Sequence, residues 1–170
     1  GSYLECQDFW RLSGIERDVF LYSQPKVAVK DFRVISTLDD SYTDGIFKLA
    51  VDVRNHALAG KKMQVFYELI DKVSGKVAVN GVSDCEVKSS ETQTVTFNAS
   101  LPGVKTWTSE APNLYKLLIT LKEGNEVTEI IPFNVGFRRI EIKAIDQIAK
   151  NGKPYVVLLI NGQPLKLKGV

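Results

Sequence analysis

The side chains with chemistry to offer are few and scattered. Glu5 and Asp8 form the only acidic pair set among rings able to stack on a sugar, Tyr3, Phe9 and Trp10, and nothing in the sequence fixes their separation. Asp39, Asp40 and Asp44 before Gly45 suggest a calcium loop. A helix–loop–helix calcium site, however, wants oxygen ligands at alternating positions and a bidentate Glu at the twelfth. The alternation is absent, and the twelfth residue from Asp39 is Ala50, so a solvated turn is the better reading. His56 is the only histidine, and Cys6 and Cys85 lie far apart. These counts weaken most metal and histidine-dependent chemistries, and the cysteines read as two reduced thiols. Trp107 and Tyr115 are candidates for a sugar-stacking platform. Tyr115 shares a strand face with Leu117, Ile119 and Leu121, which makes it core, and Trp107 is expected to close one end of the fold. Arg138-Arg139 is a candidate anion site.

The elements that must position these residues are strands. Phe47, Leu49, Val51 and Val53 alternate with Lys48, Ala50, Asp52 and Arg54. Val95, Phe97 and Ala99 alternate with polar neighbours, as do Tyr115, Leu117, Ile119 and Leu121. The same period runs through Val127, Ile131, Phe133, Val135 and Phe137, with Glu129 an exception. A period of two puts one set on a core face and the other toward solvent. Weaker strands are expected at Lys26–Ile35, Lys62–Asp71 and Lys76–Val82. Clusters of Asp, Ser, Gly and Asn punctuate the gaps. Pro132 cannot donate to a ladder, so it marks an edge or a bulge. No stretch has convincing helical period; Ile140–Lys150 comes nearest. Asn161-Gly162 between Val156–Ile160 and Leu165–Lys168 signals a β-hairpin. About seven short strands over roughly 100 residues predict an all-β, immunoglobulin-like antiparallel sandwich with extended flanking segments. The cysteines do not sit where the antibody-type disulfide would need them, so the likeness is one of shape.

Composition narrows the function classes. The chain has 170 residues, 44% hydrophobic and 25% charged, with a net charge of +2. Those fractions are ordinary for a globular domain. So small a charge excess gives no reason to propose nucleic acid or a membrane surface as partner. The longest apolar run, Tyr155–Ile160, is too short for a spanning helix, which needs about 20 residues. The chain opens on Gly1-Ser2 without an initiator Met and closes at Lys168-Gly169-Val170, which reads as an excised segment.

Four stretches resemble glycoside hydrolase family 2 β-galactosidases, in family order. Ser2–Ile15 with Arg17-Asp18-Val19 is similar to the end of the sugar-binding jelly roll. Trp107-Thr108-Ser109-Glu110-Ala111-Pro112-Asn113-Leu114-Tyr115 resembles a motif late in the immunoglobulin-like second domain, and Gly136-Phe137-Arg138 resembles the close of that domain. Asn161-Gly162-Gln163-Pro164 through Gly169-Val170 resembles the lead-in to the catalytic barrel. The resemblance implies residues 1–25 as the jelly-roll tail, 26–137 as the sandwich, and 138–170 as linker and hairpin leading to the barrel. It implies a parent enzyme that hydrolyses terminal β-galactosides with retention, its catalytic glutamates lying outside this chain, and a non-catalytic scaffold role here. Retaining enzymes hold two carboxyl groups about 5–5.5 Å apart, and the resemblance gives Glu5 no such part. Asp8 matches an aspartate that helps hold sodium and the galactosyl group; sodium, and magnesium as a second ion, are implied for the parent. Arg138 is implied to lie at the junction with the barrel. Two departures stand out: Glu16 replaces a usual aromatic, and Lys143–Leu159 is longer than in the shortest relatives.

The competing reading is an independent carbohydrate-binding or adhesion sandwich, since a sandwich alone does not specify function. The implied partners are the jelly roll and barrel of the same parent chain and a β-galactoside. Without those neighbours, apolar flank residues such as Phe9, Trp10 and Leu158–Ile160 are expected to be bare, and self-association or strand exchange follows. Sedimentation of the chain should show association that grows with concentration; a clean monomer at high concentration would contradict it.

Overall fold

The computed structural model describes residues 14–166 apart from 16, 149 and 151. Its ordered elements are ten strands: β1 (Val27–Leu38), β2 (Gly45–Asn55), β3 (Lys61–Asp71), β4 (Val77–Val87), β5 (Thr92–Leu101), β6 (Tyr115–Glu123), β7 (Glu126–Val135), β8 (Ile140–Ile148), β9 (Pro154–Ile160) and β10 (Gln163–Pro164). The first seven make two antiparallel sheets, β1-β2-β5 and β4-β3-β6-β7; the last three form a separate hairpin sheet, β10-β9-β8. This is the expected immunoglobulin-like sandwich. In constant-type immunoglobulin domains the fourth strand pairs with the fifth. Here β4 stays beside β3 on the four-stranded sheet.

Period two builds the core. Phe47, Leu49, Val51 and Val53 of β2 face Val65, Tyr67 and Leu69 of β3 and Leu117, Ile119 and Leu121 of β6 within one buried cluster. The central strands β2, β3 and β6 thus supply most of the inner faces, as expected where antiparallel sheets bury one side and wet the other. Aromatic rings fill the space between layers: Phe47 and Tyr67 lie 5.5 Å apart, and Tyr67 and Phe97 4.8 Å apart. Tyr115 is core, as its strand face implied, and meets Phe137 edge to face at 5.3 Å.

The irregularities have physical causes. Pro132 lies on β7, the edge of the four-stranded sheet, where its missing N–H costs no interior ladder bond. Glu129, the exception to the β7 alternation, turns its carboxylate onto β1. It accepts the Val29 N–H at 2.7 Å and the Gln24 amide at 3.0 Å, next to the register shift between Val29 and Asp31. That N–H would otherwise lack a partner at the bulge. The acidic turn is what its composition suggested. The Asp39 carboxylate accepts the Thr43 and Asp44 N–H groups and the Ser41 hydroxyl, and those bonds, Ser41 first, hold its pKa below the ordinary value.

Ile140–Lys150, the nearest approach to helical period though not a convincing one, contains a strand, β8, whose partner β9 supplies cross-strand aliphatic pairs. Leu158 and Ile160 are half-buried and Leu159 is only 8% exposed, so the open apolar surface of this flank centres on Ile140, Ile142 and Val156 rather than on Leu158–Ile160. The turn between β9 and β10 is the expected one: Asn161 and Gly162 both have positive φ, 49° and 76°, as a two-residue hairpin turn of the primed type requires.

Phe47 has no exposed surface and touches both layers. Phe47→Ala should cost about 3–5 kcal/mol, seen as a lower urea midpoint with an unchanged slope.

Candidate functional site: the end of the sandwich and its hairpin

Three motifs far apart in sequence meet at one end of the sandwich. The loop between β5 and β6 crosses this end and is held by its own polar groups. The Asn113 amide donates to the Thr106 carbonyl at 3.0 Å, and the Ala111 N–H to the Thr108 hydroxyl at 3.0 Å. The Tyr115 hydroxyl, on a buried ring, accepts the Lys105 N–H at 3.1 Å. Thus Trp107 is fixed on the strand end, where its N–H donates to the Phe137 carbonyl at 2.8 Å. Gly136 makes this approach feasible: a Cβ there would lie 3.1 Å from three atoms of the Trp107 side chain. The Arg138 guanidinium stacks 4.7 Å from the Trp107 ring centre, a contact that orients it without using its N–H donors.

The hairpin is tied to this end by Asn161. Its side-chain amide donates to the Trp107 carbonyl at 3.0 Å, its side-chain carbonyl accepts the Arg139 N–H at 2.9 Å, and its own N–H donates to the Arg139 carbonyl at 2.8 Å. A second anchor is Tyr42, from the acidic turn. Its hydroxyl donates to Glu141 at 2.7 Å and accepts from Lys143 at 3.0 Å. Glu141 also pairs with Arg139 and Lys143, each at 3.0 Å, and Arg139 reaches Asp40 at 2.7 Å. The Tyr42 ring lies so close to Gly162 that a Cβ there would fall 2.7 Å from it. The Glu141 carboxyl titrates below its ordinary range, held down by the Tyr42 hydroxyl first and by Lys143 second.

The candidates from sequence fall out as follows. Asp8, the predicted ligand for sodium and galactose, lies outside the described residues, as do Glu5, Cys6, Phe9 and Trp10. Trp107 and Tyr115 do not form a platform: Tyr115 is buried and Trp107 is covered by Arg138. Arg139 is not open to an anion, because Asp40 and Glu141 occupy it. His56 is exposed at the end of β2. Cys85 is a free thiol whose pKa is raised by burial and then by Asp84. Among the described residues no group of three or more His, Cys, Asp or Glu side chains could hold a metal ion. Sequence reasoning missed Tyr42, Glu141 and Asn161 as anchors. The one available signal was an aromatic in an otherwise Asp, Ser, Thr and Gly turn.

A family model, Glycosyl hydrolases family 2, matches residues 27–138. The chain belongs to that family. The β-galactosidase of Priestia megaterium (strain DSM 319 / IMG 1521) is 35% identical over 99% of this chain and 15% of its own length. That of Streptococcus thermophilus is 35% identical over 99% of this chain and 14% of its own. The chain thus spans about 15% of the length of these curated relatives. In solved structures the same fold occurs in a Bacteroides uniformis β-glucuronidase (TM-score 0.73, 16% identity, 86% of this chain and 17% of that one). It also occurs in a putative β-galactosidase from Bacteroides fragilis (TM-score 0.66, 19% identity, 79% and 18%). The matched family 2 segment ends on Arg138, where the sandwich hands the chain to the hairpin.

A carboxyl with a depressed pKa contributes stability above its unfolded value and loses it as pH falls through the folded value. The Glu141 anchor should therefore loosen below the ordinary glutamate range. Amide NMR signals of β8 and β9 should move there while those of β2 and β6 stay. Tyr42→Phe should raise the midpoint, and Glu141→Gln should abolish the transition.

Proposed function

We propose that the chain is the non-catalytic, immunoglobulin-like segment of a longer family 2 enzyme that hydrolyses terminal β-galactosides with retention. The observation that carries this is a match along the whole chain to β-galactosidases, at 35% identity, that takes in only 15% of their length. The site supports it: what converges at the sandwich end is not a nucleophile with a general acid, but a set of anchors that fix one element against another. Such anchoring suits a spacer between a sugar-binding jelly roll on one side and a catalytic barrel on the other. Misplacing a binding group by about 1 Å can cost about 100-fold in rate, so a rigid spacer contributes to catalysis without touching substrate.

On this reading Asp8 belongs to a galactose pocket and to a sodium site whose remaining oxygens come from the rest of the longer protein. Sodium there would supply fixed positive charge against the sugar hydroxyls. Magnesium is a second ion for the parent. The jelly roll, the barrel and the β-galactoside are the partners.

The test is an amide NMR titration of the chain with galactose and lactose, with and without sodium. No shifts are expected, because the pocket is incomplete. Saturable shifts confined to Tyr3–Trp10 would mean that the half-site around Asp8 binds by itself. Saturable shifts elsewhere on the sandwich would overturn the scaffold reading in favour of an independent carbohydrate-binding module.

A further inference from the structure

The start of β1 and the end of β2 enclose a cleft at the end of the sandwich away from the hairpin. Lys26, Lys30, Arg54 and His56 line it, and its volume is about 510 Å³. Backbone geometry gathers these side chains. Arg54, on the central strand of the three-stranded sheet, stands between Ala28 of β1 and Thr92 of β5. Lys30 is the residue that the register shift between Val29 and Asp31 leaves without a cross-strand partner, and a bulge of this kind re-aims a side chain. The His56 N–H donates to the Lys26 carbonyl at 2.7 Å and joins the two strand ends.

Arg54 is the group that lacks a partner. Its Nε is buried and makes no hydrogen bond among the described residues, and its Nη1 makes one long contact, 3.4 Å, to the Thr92 hydroxyl. A guanidinium carries five N–H donors. A buried donor left unpaired costs about 1–3 kcal/mol, so a donor kept in that state calls for an acceptor. The Lys26 and Lys30 ammonium groups form no ion pair among the described residues. The carboxylates on the neighbouring strands are turned to other donors. Asp31 accepts the Phe32 N–H at 2.8 Å and Asp52 the Thr94 hydroxyl at 2.6 Å. Glu129 takes the Val29 N–H and the Gln24 amide.

We propose that this cleft binds a phosphate group, carried as inorganic phosphate or as the monoester of a small molecule such as a sugar. Three observations select that chemistry. Arg54 and two lysines bring three positive charges to one cleft, which suits a dianion better than a single carboxylate. The planar fork of an arginine takes two oxygens of a tetrahedral anion and leaves the others to ammonium groups, which act as point charges. Tyr22 and Pro25 wall the same cleft and give the body of an ester an apolar surface to lie on. A net charge of only +2 over the chain favours a small ligand held in one cleft over a nucleic acid. The inference goes beyond the scaffold reading and does not depend on the galactoside.

Calorimetric titration of the full-length protein tests this, with inorganic phosphate and glucose 6-phosphate as probes and acetate and glucose as controls. Ionic strength is held constant, because salt screens exposed charges over about 10 Å at 0.1 M. One saturable site is expected for both phosphates and none for either control. Tighter binding of the ester assigns the site to an ester, and equal binding assigns it to free phosphate. Arg54→Gln should weaken binding tenfold or more. Lys30→Gln, which removes no contact within the fold, should weaken it severalfold with the thermal midpoint unchanged. Amide NMR of the 170-residue chain should place the shifts at residues 26–30 and 54–56. Absence of saturable phosphate binding, binding untouched by both substitutions, or shifts spread over the exposed lysines would overturn the proposal. So would binding to the short chain that is lost in the full-length protein, which would assign the cleft to another part of the longer chain.

Discussion

One carboxamide holds the architecture together at the place where it matters for function. Asn161 bonds the Trp107 carbonyl, the Arg139 N–H and the Arg139 carbonyl at once. The first group belongs to the loop between β5 and β6 and the other two to the stretch before β8, while Asn161 itself sits in the turn after β9 and reaches the Arg139 carbonyl through its main-chain N–H. A hydrogen bond of this kind contributes only about 1 kcal/mol net, so its importance is not its energy. It lies in leaving the hairpin a single orientation on the sandwich, because the two backbone segments it joins are themselves fixed. Tyr42 then adds a second attachment, through Glu141 and Lys143, beside the first: its ring lies against Gly162 and near the Arg139 guanidinium.

The sandwich itself was legible because its central strands are simple. β2 and β6 alternate cleanly, bury one face, and need no tertiary information to be recognised. Pro132 marked β7 as an edge or a bulge, and the sheet order makes it the edge. The elements read less well are those whose stability comes from a partner. β8 carries isoleucines at 140, 142, 145 and 148, a spacing that mixes periods of two and three. The register shift between Ala144 and Ile148 accounts for the mixture: the strand is regular up to Ala144 and irregular beyond it. Pattern reasoning reads such a segment as a poor helix, and only β9 decides the matter. The fourth strand's place beside β3 was equally invisible, since it depends on which sheet edge is free rather than on any local residue.

The site was legible in parts and not as a whole. Trp107, Gly136 and Asn161 all fall in stretches that stood out in the sequence. Their convergence did not show, because it is made by main-chain carbonyls and by a glycine that lets a tryptophan approach. Neither leaves a signature in side-chain type. Tyr42 was hidden for a different reason. In a turn of Asp, Ser, Thr and Gly an aromatic looks like an accident of a loop, and its role appears only when Glu141, Lys143 and Gly162 are brought to it from about a hundred residues away. The pair of arginines separated in the same way. Identical in type and adjacent in sequence, one is neutralised by two carboxylates and the other lies flat on an indole.

That separation bears on what the domain is for. Adjacent residues near the end of a strand point to opposite sides, so Arg138 and Arg139 address two different surfaces from one short stretch. Arg139 looks inward, to Asp40, Glu141 and Tyr42, and its charge is used within the domain. Arg138 looks outward, across an open groove that Ile140 also lines. The alternation that built the core thus continues past the sandwich and into β8, where Glu141 and Lys143 follow Arg139 and Ile140 and Ile142 follow Arg138. A single period-two run carries both the attachment that fixes the hairpin and the exposed aliphatic strip on its other side. Inserting or deleting one residue between Phe137 and Glu141 would exchange the two faces. The anchors would then face solvent and the aliphatic strip would be pressed against the charged turn. The spacing across this junction is therefore a tighter constraint than the identity of any one residue in it.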